Sequence, residues 1–323
     1  MKNWSLKITE AFRLTKRLQF YRGVNLLKHL IGNPKTPLYF SFEPTTACNL
    51  SCPECPSGLG RFTRPEGNTT DSTFEKLLDE WGKQALICTF YFQGEPFIHP
   101  HIYDYITRAK DAGLYTISSS NGHFFNRTTL PRLIDSGLDK LIVSLDGITS
   151  KTYTEYRVDG DFDQVMDALH LLNEAVGNKR LTTQVIVQFI AFSHNEHEVE
   201  LLPAFMEQFP HLYLELKTAQ VYGEDQTSLD RIPKNRKLSR YAEKAPERGC
   251  GRMEKGTVVT WDGAVLPCCF DKDAEHAFGN GLQQGFSAAW NNSSARSFRK
   301  SVKQSRSNKA ICANCSEGRK VWL

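Results

Sequence analysis

The sequence predicts an α/β fold in which a partial (β/α)6, TIM-like barrel is followed by a small, cysteine-rich α+β region. Two observations predict the barrel. From residue 37 onward, six short segments of apolar, β-branched and aromatic residues alternate with helix-like segments, and they lack the glycine fingerprint of dinucleotide-binding sheets. A third observation, five of the nine cysteines in the last quarter of the chain, predicts the second region. In such parallel barrels the chemistry lies at the carboxyl ends of the strands.

The composition of the 323 residues is that of an ordinary globular protein, with 40% hydrophobic and 24% charged residues and a net charge of +4. These values exclude fibrous, collagenous and wholly disordered classes. No run of 18 apolar residues occurs, so no transmembrane segment is predicted, and the N-terminus lacks the apolar core of a signal peptide. Nine cysteines without an export signal indicate metal ligation or redox chemistry in a reducing compartment, and so predict a cytoplasmic protein.

The first 36 residues are strongly basic, since they contain eight Lys and Arg and one acidic residue, Glu10. Their apolar residues recur at roughly helical spacing, which predicts one or two amphipathic helices over residues 1–36. These apolar residues are Trp4, Ile8, Phe12, Leu27, Leu30 and Ile31. We expect a cap that packs on the main domain with a solvated basic face. Contact with an anionic membrane surface, a nucleic acid or an acidic partner is the alternative.

The barrel is predicted to occupy residues 37–218. Its predicted strands are Leu38–Phe42, Leu86–Phe92, Tyr115–Ser119, Lys140–Leu145, Thr183–Phe192 and Tyr213–Lys217. Its predicted helices are Ser72–Trp81, Pro100–Asp111, Thr128–Ser136, Phe162–Ala175 and Glu196–Gln208. Several of these helices are followed by a glycine, such as Gly82 and Gly137, which is a common helix stop.

The rest of the chain divides into a polar connector over residues 219–248 and a cysteine-rich domain over residues 249–323. In the second part, Asp262-Gly263 between β-rich flanks predicts a hairpin of Thr257–Thr260 with Ala264–Pro267. A helix is predicted over Ser287–Gln304.

Three cysteines follow the first predicted strand at close spacing. Cys48, Cys52 and Cys55 are separated by three and two residues in a proline-containing loop. Iron–sulfur clusters are usually held by four Cys thiolates, so three in one loop predict an iron–sulfur cluster with one iron open to a non-protein ligand. A zinc knuckle with a fourth ligand from elsewhere, or a set of buried thiols, is the alternative.

The spacing C-x3-C-x2-C in this loop resembles that of the radical S-adenosylmethionine (SAM) superfamily, and further motifs at later strand ends are similar to it. Gly94-Glu95-Pro96 resembles the element that holds the SAM amino group, although Gln93 replaces its first glycine. Ser120-Asn121-Gly122 and Ser144-Leu145-Asp146-Gly147 follow the next two strands. A second departure is Glu54, which stands where the superfamily commonly has an aromatic residue.

This resemblance implies a [4Fe–4S] cluster held by Cys48, Cys52 and Cys55, and a set of contacts to SAM. Glu95, flanked by Gly94 and Pro96, would accept a hydrogen bond from the SAM amine, and Arg157 would neutralise the SAM carboxylate. Ser120, Asn121 and Ser144 would offer hydroxyl and amide partners.

The late cysteines form a second motif. Cys250-x12-Gly263-x4-Cys268 and Cys312-x2-Cys315 resemble the SPASM family of radical SAM enzymes. A full SPASM motif would add a cysteine where Val321 stands, so the pattern is similar to the truncated variant, called a twitch domain, found in the 2-deoxy-scyllo-inosamine dehydrogenases. The resemblance implies one auxiliary [4Fe–4S] cluster with four Cys ligands. The alternative is a structural zinc site.

Two other cysteines are not expected to bind a cluster. Cys269 is adjacent to Cys268, and neighbouring side chains on a strand point apart, so the spacing from Gly263 favours Cys268 as the ligand. Cys88, inside an apolar strand, is predicted to be a core residue.

The resemblance implies an oxidoreductase. Reductive cleavage of SAM would yield a 5′-deoxyadenosyl radical that takes a hydrogen atom from a substrate C–H. The substrate would then lose a proton to a base and an electron to the auxiliary cluster. Catalytic residues stay unassigned at this stage. The candidate bases are Lys217, Gln188, Tyr222 and Asp271.

Only about 36 residues precede the first strand, which is short for a separate peptide-binding domain. We therefore expect a small polar substrate such as a sugar, a cyclitol or another alcohol. Modification of a peptide or protein is the first alternative, and a non-catalytic iron–sulfur or zinc scaffold is the second. A flavodoxin- or ferredoxin-like protein is the expected electron donor, and nucleic acid is not an expected substrate.

Overall fold

The computed structural model describes residues 20–32, 34–221, 226–244, 246–313, 315 and 317. Six strands, each parallel to its neighbour, form the sheet of the barrel in the order β6-β5-β4-β3-β2-β1. The strands are β1 Tyr39–Phe42, β2 Ile87–Thr89, β3 Tyr115–Ser120, β4 Lys140–Ser144, β5 Gln184–Ala191 and β6 Tyr213–Thr218. The (β/α)6 expectation is therefore confirmed, and all six carboxyl ends meet at one edge of the sheet.

The longer helices follow the strands in alternation, as the barrel expectation requires. The α-helices within the barrel region are Asp71–Trp81, Ile102–Asp111, Leu130–Ser136, Ser150–Tyr156, Phe162–Gly177 and Leu202–Phe205. Good caps begin several of them: the Thr70 side chain accepts from Thr73 N, and Asp161 accepts from Gln164 N. Gly137 ends Leu130–Ser136 in the left-handed conformation, with φ 63°.

The predicted helix Glu196–Gln208 is wrong as a single element. A 3₁₀ helix Glu196–Leu201 leads into the short α-helix Leu202–Phe205, and a second 3₁₀ helix Met206–Gln208 follows. Pro203 explains this difference, because its missing N–H and its ring are tolerated only in the first turn of an α-helix. The helix predicted over Ser287–Gln304 likewise divides into Phe286–Asn291 and Ser293–Gln304, because Asn292 caps the second helix by accepting from Ala295 N.

The C-terminal region continues the same sheet. Strand β7 (Gly256–Val259) pairs with β1 in parallel, and it forms an antiparallel hairpin with β8 (Ala264–Leu266), beyond which lies β9 (Gly279–Asn280). Gly263 takes φ 86° in the hairpin turn, which confirms the turn prediction. The remaining described helices are Phe20–Leu30, Gln226–Asp230, Arg236–Leu238, Arg240–Ala242, Gly251–Lys255, Gly281–Gln284, Pro96–Ile98, Arg306–Asn308 and Ala310–Ala313.

The two faces of the sheet carry different residues. Strand residues such as Phe40, Cys88 and Val143 pack in the main core between the sheet and the helices, so the core prediction for Cys88 is confirmed. Ile142 and Ile186 form a separate, smaller cluster on the other face, inside the barrel. Because side chains alternate along a strand, residues two positions further on, toward the carboxyl end, share this inner face.

Helix Phe20–Leu30 packs on the barrel as the expected cap, but Arg22 departs from the expected solvated basic face. Arg22 is fully buried, and its guanidinium donates to the carbonyl oxygens of Gly82 (2.8 Å), Ala85 (2.8 Å) and Ala112 (2.6 Å). The positions of Trp4, Ile8 and Phe12 lie outside the described residues. Among the described helices, none has the length and apolar character needed to cross a membrane.

Candidate functional site

The loop after β1 holds the first three cysteines in a tight turn. Cys55 N donates to Cys52 O at 3.1 Å, and a Cβ at Gly58 would lie 2.6 Å from Cys52 N, so only glycine allows this close approach. The three cysteines are free thiols and share one packed cluster with Leu50 of the same loop, Tyr156 at the end of helix Ser150–Tyr156 and residues at the ends of β5 and β6. The last are Ile190, Phe192 and Ala219.

Burial makes two of these thiols poor anions by themselves. It raises the pKa of Cys48 to about 12 and also raises the pKa of Cys52, which the nearby Arg157 guanidinium partly counteracts. Thiolates at these two positions would therefore need a nearby positive charge, such as that of bound iron.

Gly94 connects the end of the β2 segment to the cysteine loop. Its φ of +72° and its contact with the chain before Cys48 both require glycine, since an added Cβ would lie 2.5 Å from Thr45 O. Gly94 N donates to Ser57 Oγ at 2.8 Å, and Glu95 N donates to Ala47 O at 2.7 Å. The Gly94-Glu95-Pro96 element and the cysteine loop are thus joined through their backbones.

Glu95 is buried at the centre of this arrangement. Its carboxylate oxygens accept from Phe97 N at 3.1 Å and from Asn121 N at 2.7 Å, and burial raises the pKa of Glu95 to about 7. Pro96 begins the short 3₁₀ helix that supplies the first of these donors. Each carboxylate oxygen has a second lone pair, so Glu95 can still accept from an ammonium group.

Asn121 joins the end of β3 to the cysteine loop. Its Nδ2 donates to Asn49 Oδ1 at 2.7 Å, and its Oδ1 accepts from His123 N at 3.1 Å. Ser120 Oγ accepts from Gly122 N at 3.1 Å. Asn49 is a residue that sequence reasoning missed, although its place directly after the first motif cysteine was a usable signal.

Arg157 lies at the end of helix Ser150–Tyr156 and already has a carboxylate partner within the chain. Its guanidinium pairs with buried Asp146, which follows β4, and its Nη1 donates to Cys52 Sγ at 3.7 Å. Its Nε is buried and has no hydrogen-bond partner. Asp146 was recognised in the sequence only as part of a motif, and its ion pair with Arg157 was not predicted. Ser144, two residues earlier, is buried on the inner face of the barrel.

Glu54, the departure from the aromatic pattern, has a charged partner from the connector. Arg231 Nε lies 3.2 Å from Glu54 Oε1, and the Glu54 side chain is almost fully buried. The ion pair fastens the segment after helix Gln226–Asp230 to the cysteine loop. Such a pairing across the chain cannot be read from local sequence.

The C-terminal cysteines are brought together by Arg306. Its backbone and side chain bond to the segment before Cys250 and to the segment after Cys315: Nε donates to Gly249 O at 2.8 Å, and Nη1 donates to Glu317 O at 2.6 Å. Cys315 N donates to Cys312 O at 3.3 Å, which closes the C-x2-C turn.

These thiols are mutual electrostatic neighbours. Burial raises the pKa of Cys315 to about 11, and the neighbouring Cys250 and Cys312 raise it further. Burial likewise raises the pKa of Cys268, with Cys269, Cys315 and Cys250 among its neighbours. Cys250 and Cys312 are thus near Cys315, and Cys268 is near Cys315 and Cys250, so these four cysteines stay the predicted auxiliary ligands.

Cys269 has a different environment. The charge on Cys269 is the main reason for the raised pKa of Arg252, and Cys269 also contributes to the raised pKa values of Tyr39 and Tyr91. Tyr39 begins β1 and Tyr91 follows β2. Cys268 and Cys269 both lie beside Tyr39 and Arg252, and Cys268 also has Cys315 and Cys250 among its charged neighbours.

The residues present fit the cofactors that the motifs imply. Two groups of free thiols, Cys52 and Cys315 buried and the others half-buried, lie in the two motif regions, and the unpartnered Arg157 Nε is a donor suited to a carboxylate. Within the described residues, no three His, Cys, Asp or Glu side chains converge on a single ion. A cluster does not require such convergence, because its thiolates bind separate irons.

The candidate bases lie in different places. Gln188 and Lys217 are on the inner face of β5 and β6, while Asp271 accepts from His276 N at 3.0 Å in the loop after Cys268. Tyr222 lies outside the described residues.

Two family models match the chain. The radical SAM superfamily model matches residues 42–201, and the model of the SPASM iron–sulfur cluster-binding domain matches residues 250–316. The radical SAM domain implies a [4Fe–4S] cluster and SAM, and the SPASM domain implies auxiliary iron–sulfur binding.

Curated relatives are similar over part of the chain. The AdoMet-dependent heme synthase of Methanosarcina barkeri is 28% identical over 150 residues, which is 45% of this chain and 42% of the relative. The mycofactocin maturase MftC of Mycobacterium tuberculosis is 27% identical over 49% of this chain and 37% of its own length. The tungsten-containing aldehyde ferredoxin oxidoreductase cofactor-modifying protein of Pyrococcus furiosus is 24% identical over 71% and 70% of the two chains. The matches thus span about two fifths of the first two relatives.

Solved structures share the fold. BtrN in complex with AdoMet and 2-DOIA has a TM-score of 0.55 at 20% identity, covering 88% of this chain and 94% of BtrN. SuiB of Streptococcus suis bound to S-adenosylmethionine has a TM-score of 0.64 at 17% identity, covering 87% and 71%. anSMEcpe with bound AdoMet has a TM-score of 0.63 at 15% identity, covering 88% and 86%.

Proposed function

Since this chain belongs to the radical SAM superfamily and carries a C-terminal SPASM domain, we propose that it is an oxidoreductase acting on a C–H or alcohol position of a small polar molecule. Bound SAM and its cluster supply a hydrogen-abstracting 5′-deoxyadenosyl radical, and the auxiliary cluster supplies an electron acceptor. The chain's own residues bind and orient these groups and exclude water.

The observation that carries the proposal is the polar inner face at the carboxyl end of the barrel. Ser144 on β4 lies opposite Gln188 on β5, and Lys217 on β6 lies one inner position further on, opposite Ile190. Gln188 is 6% exposed, and its Nε2 has no acceptor. A buried amide donor without an acceptor is costly unless a ligand supplies one, so a hydroxyl or carbonyl of a small substrate fits this place.

Residues around the cysteine loop would hold SAM. Glu95 would accept from the amine, and Arg157 would offer its Nε to the carboxylate while Asp146 keeps the guanidinium in place. Cys48, Cys52 and Cys55 would hold the cluster, with Cys250, Cys268, Cys312 and Cys315 as the ligands of the auxiliary one.

Lys217 is the residue that we assign to accept the substrate proton. It is half-buried on the inner face, and desolvation lowers its pKa to about 8 with the help of nearby Arg240 and Arg252 and against the charge of Glu215. An amine with a pKa close to the working pH is partly neutral and can act as a base. The Gln188 amide is not basic, and Asp271 is engaged in its own loop.

A peptide substrate is the second candidate, because a mycofactocin maturase and the PqqA peptide cyclase of Gluconobacter oxydans are among the relatives. SuiB has also been solved bound to the precursor peptide SuiA. A flavodoxin- or ferredoxin-like donor would serve either substrate class.

The test is a substrate panel with the anaerobically reconstituted protein, SAM and a reductant. Deuterated cyclitols and sugars form one arm, and deuterated short peptides form the other. Transfer of deuterium from a cyclitol or sugar into 5′-deoxyadenosine supports the proposal. Transfer from peptides alone would overturn the small-molecule assignment. Gln188→Leu should raise the KM for the small substrate while SAM cleavage without substrate stays unchanged.

A further inference from the structure

A cavity of about 500 Å³ lies away from both groups of cysteines, between the N-terminal helix and the C-terminal helices. It is enclosed by Phe20–Leu30, Gly251–Lys255, Phe286–Asn291 and Ser293–Gln304, together with the residues before β1. Its volume falls within the range of sites for small organic ligands. We propose that this cavity binds a small organic anion with an apolar body.

Part of the lining is apolar. Leu26, Leu38 and the ring of Trp290 contribute hydrophobic surface, and Leu30 is 76% exposed at the edge of the cavity. Leaving a leucine this exposed next to a concave site provides apolar area that a ligand can cover.

The charges around the cavity are almost all positive. Six cations line it, against the single acidic residue Glu254, which lies 3.6 Å from Lys303. The six are Lys35, Lys255, Arg296, Arg299, Lys300 and Lys303. His29 adds little charge, because burial lowers its pKa. Like charges gathered around a low-dielectric cavity favour an anion inside it.

Two buried donors in the lining have no acceptor. Trp290 is 1% exposed, and neither its Nε1 nor Nη2 of Arg299 has a hydrogen-bond partner. The Arg299 guanidinium stacks on Trp290 with 4.2 Å between its central carbon and the ring centroid, and its Nη1 donates to Trp290 O at 2.8 Å. The stack thus fixes the Arg299 guanidinium, one of the six lining cations, against the Trp290 ring, which contributes apolar surface to the same lining.

The chain's own N-terminal segment does not have the charge for this site. Residues 1–19 contain five Lys and Arg and one acidic residue, so their net charge has the same sign as the lining. The volume of about 500 Å³ is that of a site for a compact small molecule, which we therefore favour over an extended acidic peptide.

The experiment uses the full-length reconstituted protein and isothermal titration calorimetry with 8-anilino-1-naphthalenesulfonate, an anion with an aromatic body. We expect one site per chain. The double variant Arg296→Glu/Lys300→Glu, whose two side chains are exposed, should weaken binding at least tenfold. Lys151→Glu, an exposed lysine away from the cavity, should bind the probe as the wild type does.

Three outcomes would overturn the proposal. They are the absence of probe binding, equal affinity for the wild type and the double variant, and displacement of the probe by hexaglutamate more strongly than by small aromatic carboxylates. The last outcome would indicate an acidic peptide partner. Unchanged SAM cleavage in the double variant separates this site from the proposed catalytic site, and an unchanged Tm without ligand excludes unfolding as the cause.

Discussion

Arg157 Nη1 donates to Cys52 Sγ across 3.7 Å, and the same guanidinium pairs with Asp146. The first contact reaches the cysteine loop after β1, and the second reaches the end of β4. Hydrogen bonds and positive charge at a ligand sulfur stabilise the reduced form of a cluster. Under the proposed function, Arg157 would therefore act on the cluster held by Cys52 as well as offer its Nε to SAM.

Replacing Arg157 should affect both groups. In Arg157→Met, SAM affinity should fall by about 10- to 100-fold, because a charge-assisted hydrogen bond contributes about 1.5–3 kcal/mol, and the reduction potential of the N-terminal cluster should become more negative. Equilibrium dialysis with SAM and a redox titration followed by electron paramagnetic resonance measure the two effects. Arg157→Met/Asp146→Asn is the control for an unpaired buried charge. An unchanged potential in both variants would contradict the role at Cys52.

Gly94 and Gly23 are a matched pair of substitution sites that tests the close approach of Gly94 to the chain before Cys48. Gly94→Ala forces a side chain into left-handed backbone and to within 2.5 Å of Thr45 O, and we expect it to cost about 2–3 kcal/mol. The amount of iron bound by Cys48, Cys52 and Cys55 should fall together with the stability of Gly94→Ala. Gly23→Ala, in an exposed helix position with no atom within 4 Å of the new Cβ, should stabilise the protein by about 0.5–1 kcal/mol. Urea unfolding and iron analysis measure both. A Gly94→Ala variant with the stability and iron content of the wild type would contradict the close approach of Gly94 to the chain before Cys48.

The adjacent thiols Cys268 and Cys269 should differ in their effect on iron content. Cys268→Ala should lose the iron of the auxiliary site, because this thiol neighbours Cys250 and Cys315. Cys269→Ala should keep that iron, because Cys269 interacts with Arg252 instead. Iron and sulfide analysis of the two reconstituted variants decides between them. The reverse result would assign the ligand to Cys269.

Lys217 predicts a pH dependence of substrate oxidation. Only the neutral amine accepts a proton, so the rate should rise with pH through about 8 and then level off. Lys217→Met should lack this rise and lose about 10²- to 10⁴-fold in rate, while SAM cleavage without substrate is retained. A pH profile of Lys217→Met that keeps the wild-type rise would assign the base elsewhere.

The lowered pKa of Lys217 also predicts how the free energy of unfolding depends on pH. Its pKa in the folded protein is about 8, against 10.5 for an unperturbed lysine, so between these pH values the unfolded chain binds more protons. The free energy of unfolding of the wild type relative to Lys217→Met should therefore rise with pH from about 8 to about 10.5. Urea unfolding of the two apo proteins across this range measures it, and a flat difference would contradict the burial of Lys217.

The order of the six barrel strands and the position of the motifs at their carboxyl ends were predictable, because alternating apolar runs and glycine stops are local signals. Pro203 was also a local signal, and the prediction of one helix over 196–208 overlooked it. The pairing of β7 with β1 was not predictable in this way, since the partners Tyr39 and Gly256 are far apart in sequence.

In the candidate site, too, some features could be predicted from local sequence and others could not. The motifs identified Cys48, Glu95 and Asn121 as candidate site residues. Their positions after β1, β2 and β3 predicted that they lie near one another. The partners that orient them, such as Asp146 for Arg157 and Arg231 for Glu54, depend on which side chains the packing brings together. These pairings therefore could not be predicted from local sequence.

The most direct test of the proposed two-cluster radical SAM enzyme is anaerobic reconstitution followed by iron and sulfide analysis, with SAM and reductant added to the same sample. We expect about eight iron atoms per chain and formation of 5′-deoxyadenosine. The triple variant Cys48→Ala/Cys52→Ala/Cys55→Ala should retain about four iron and form no 5′-deoxyadenosine. Wild-type protein that binds both clusters and SAM yet forms no 5′-deoxyadenosine, or a triple variant that loses no iron, would contradict it.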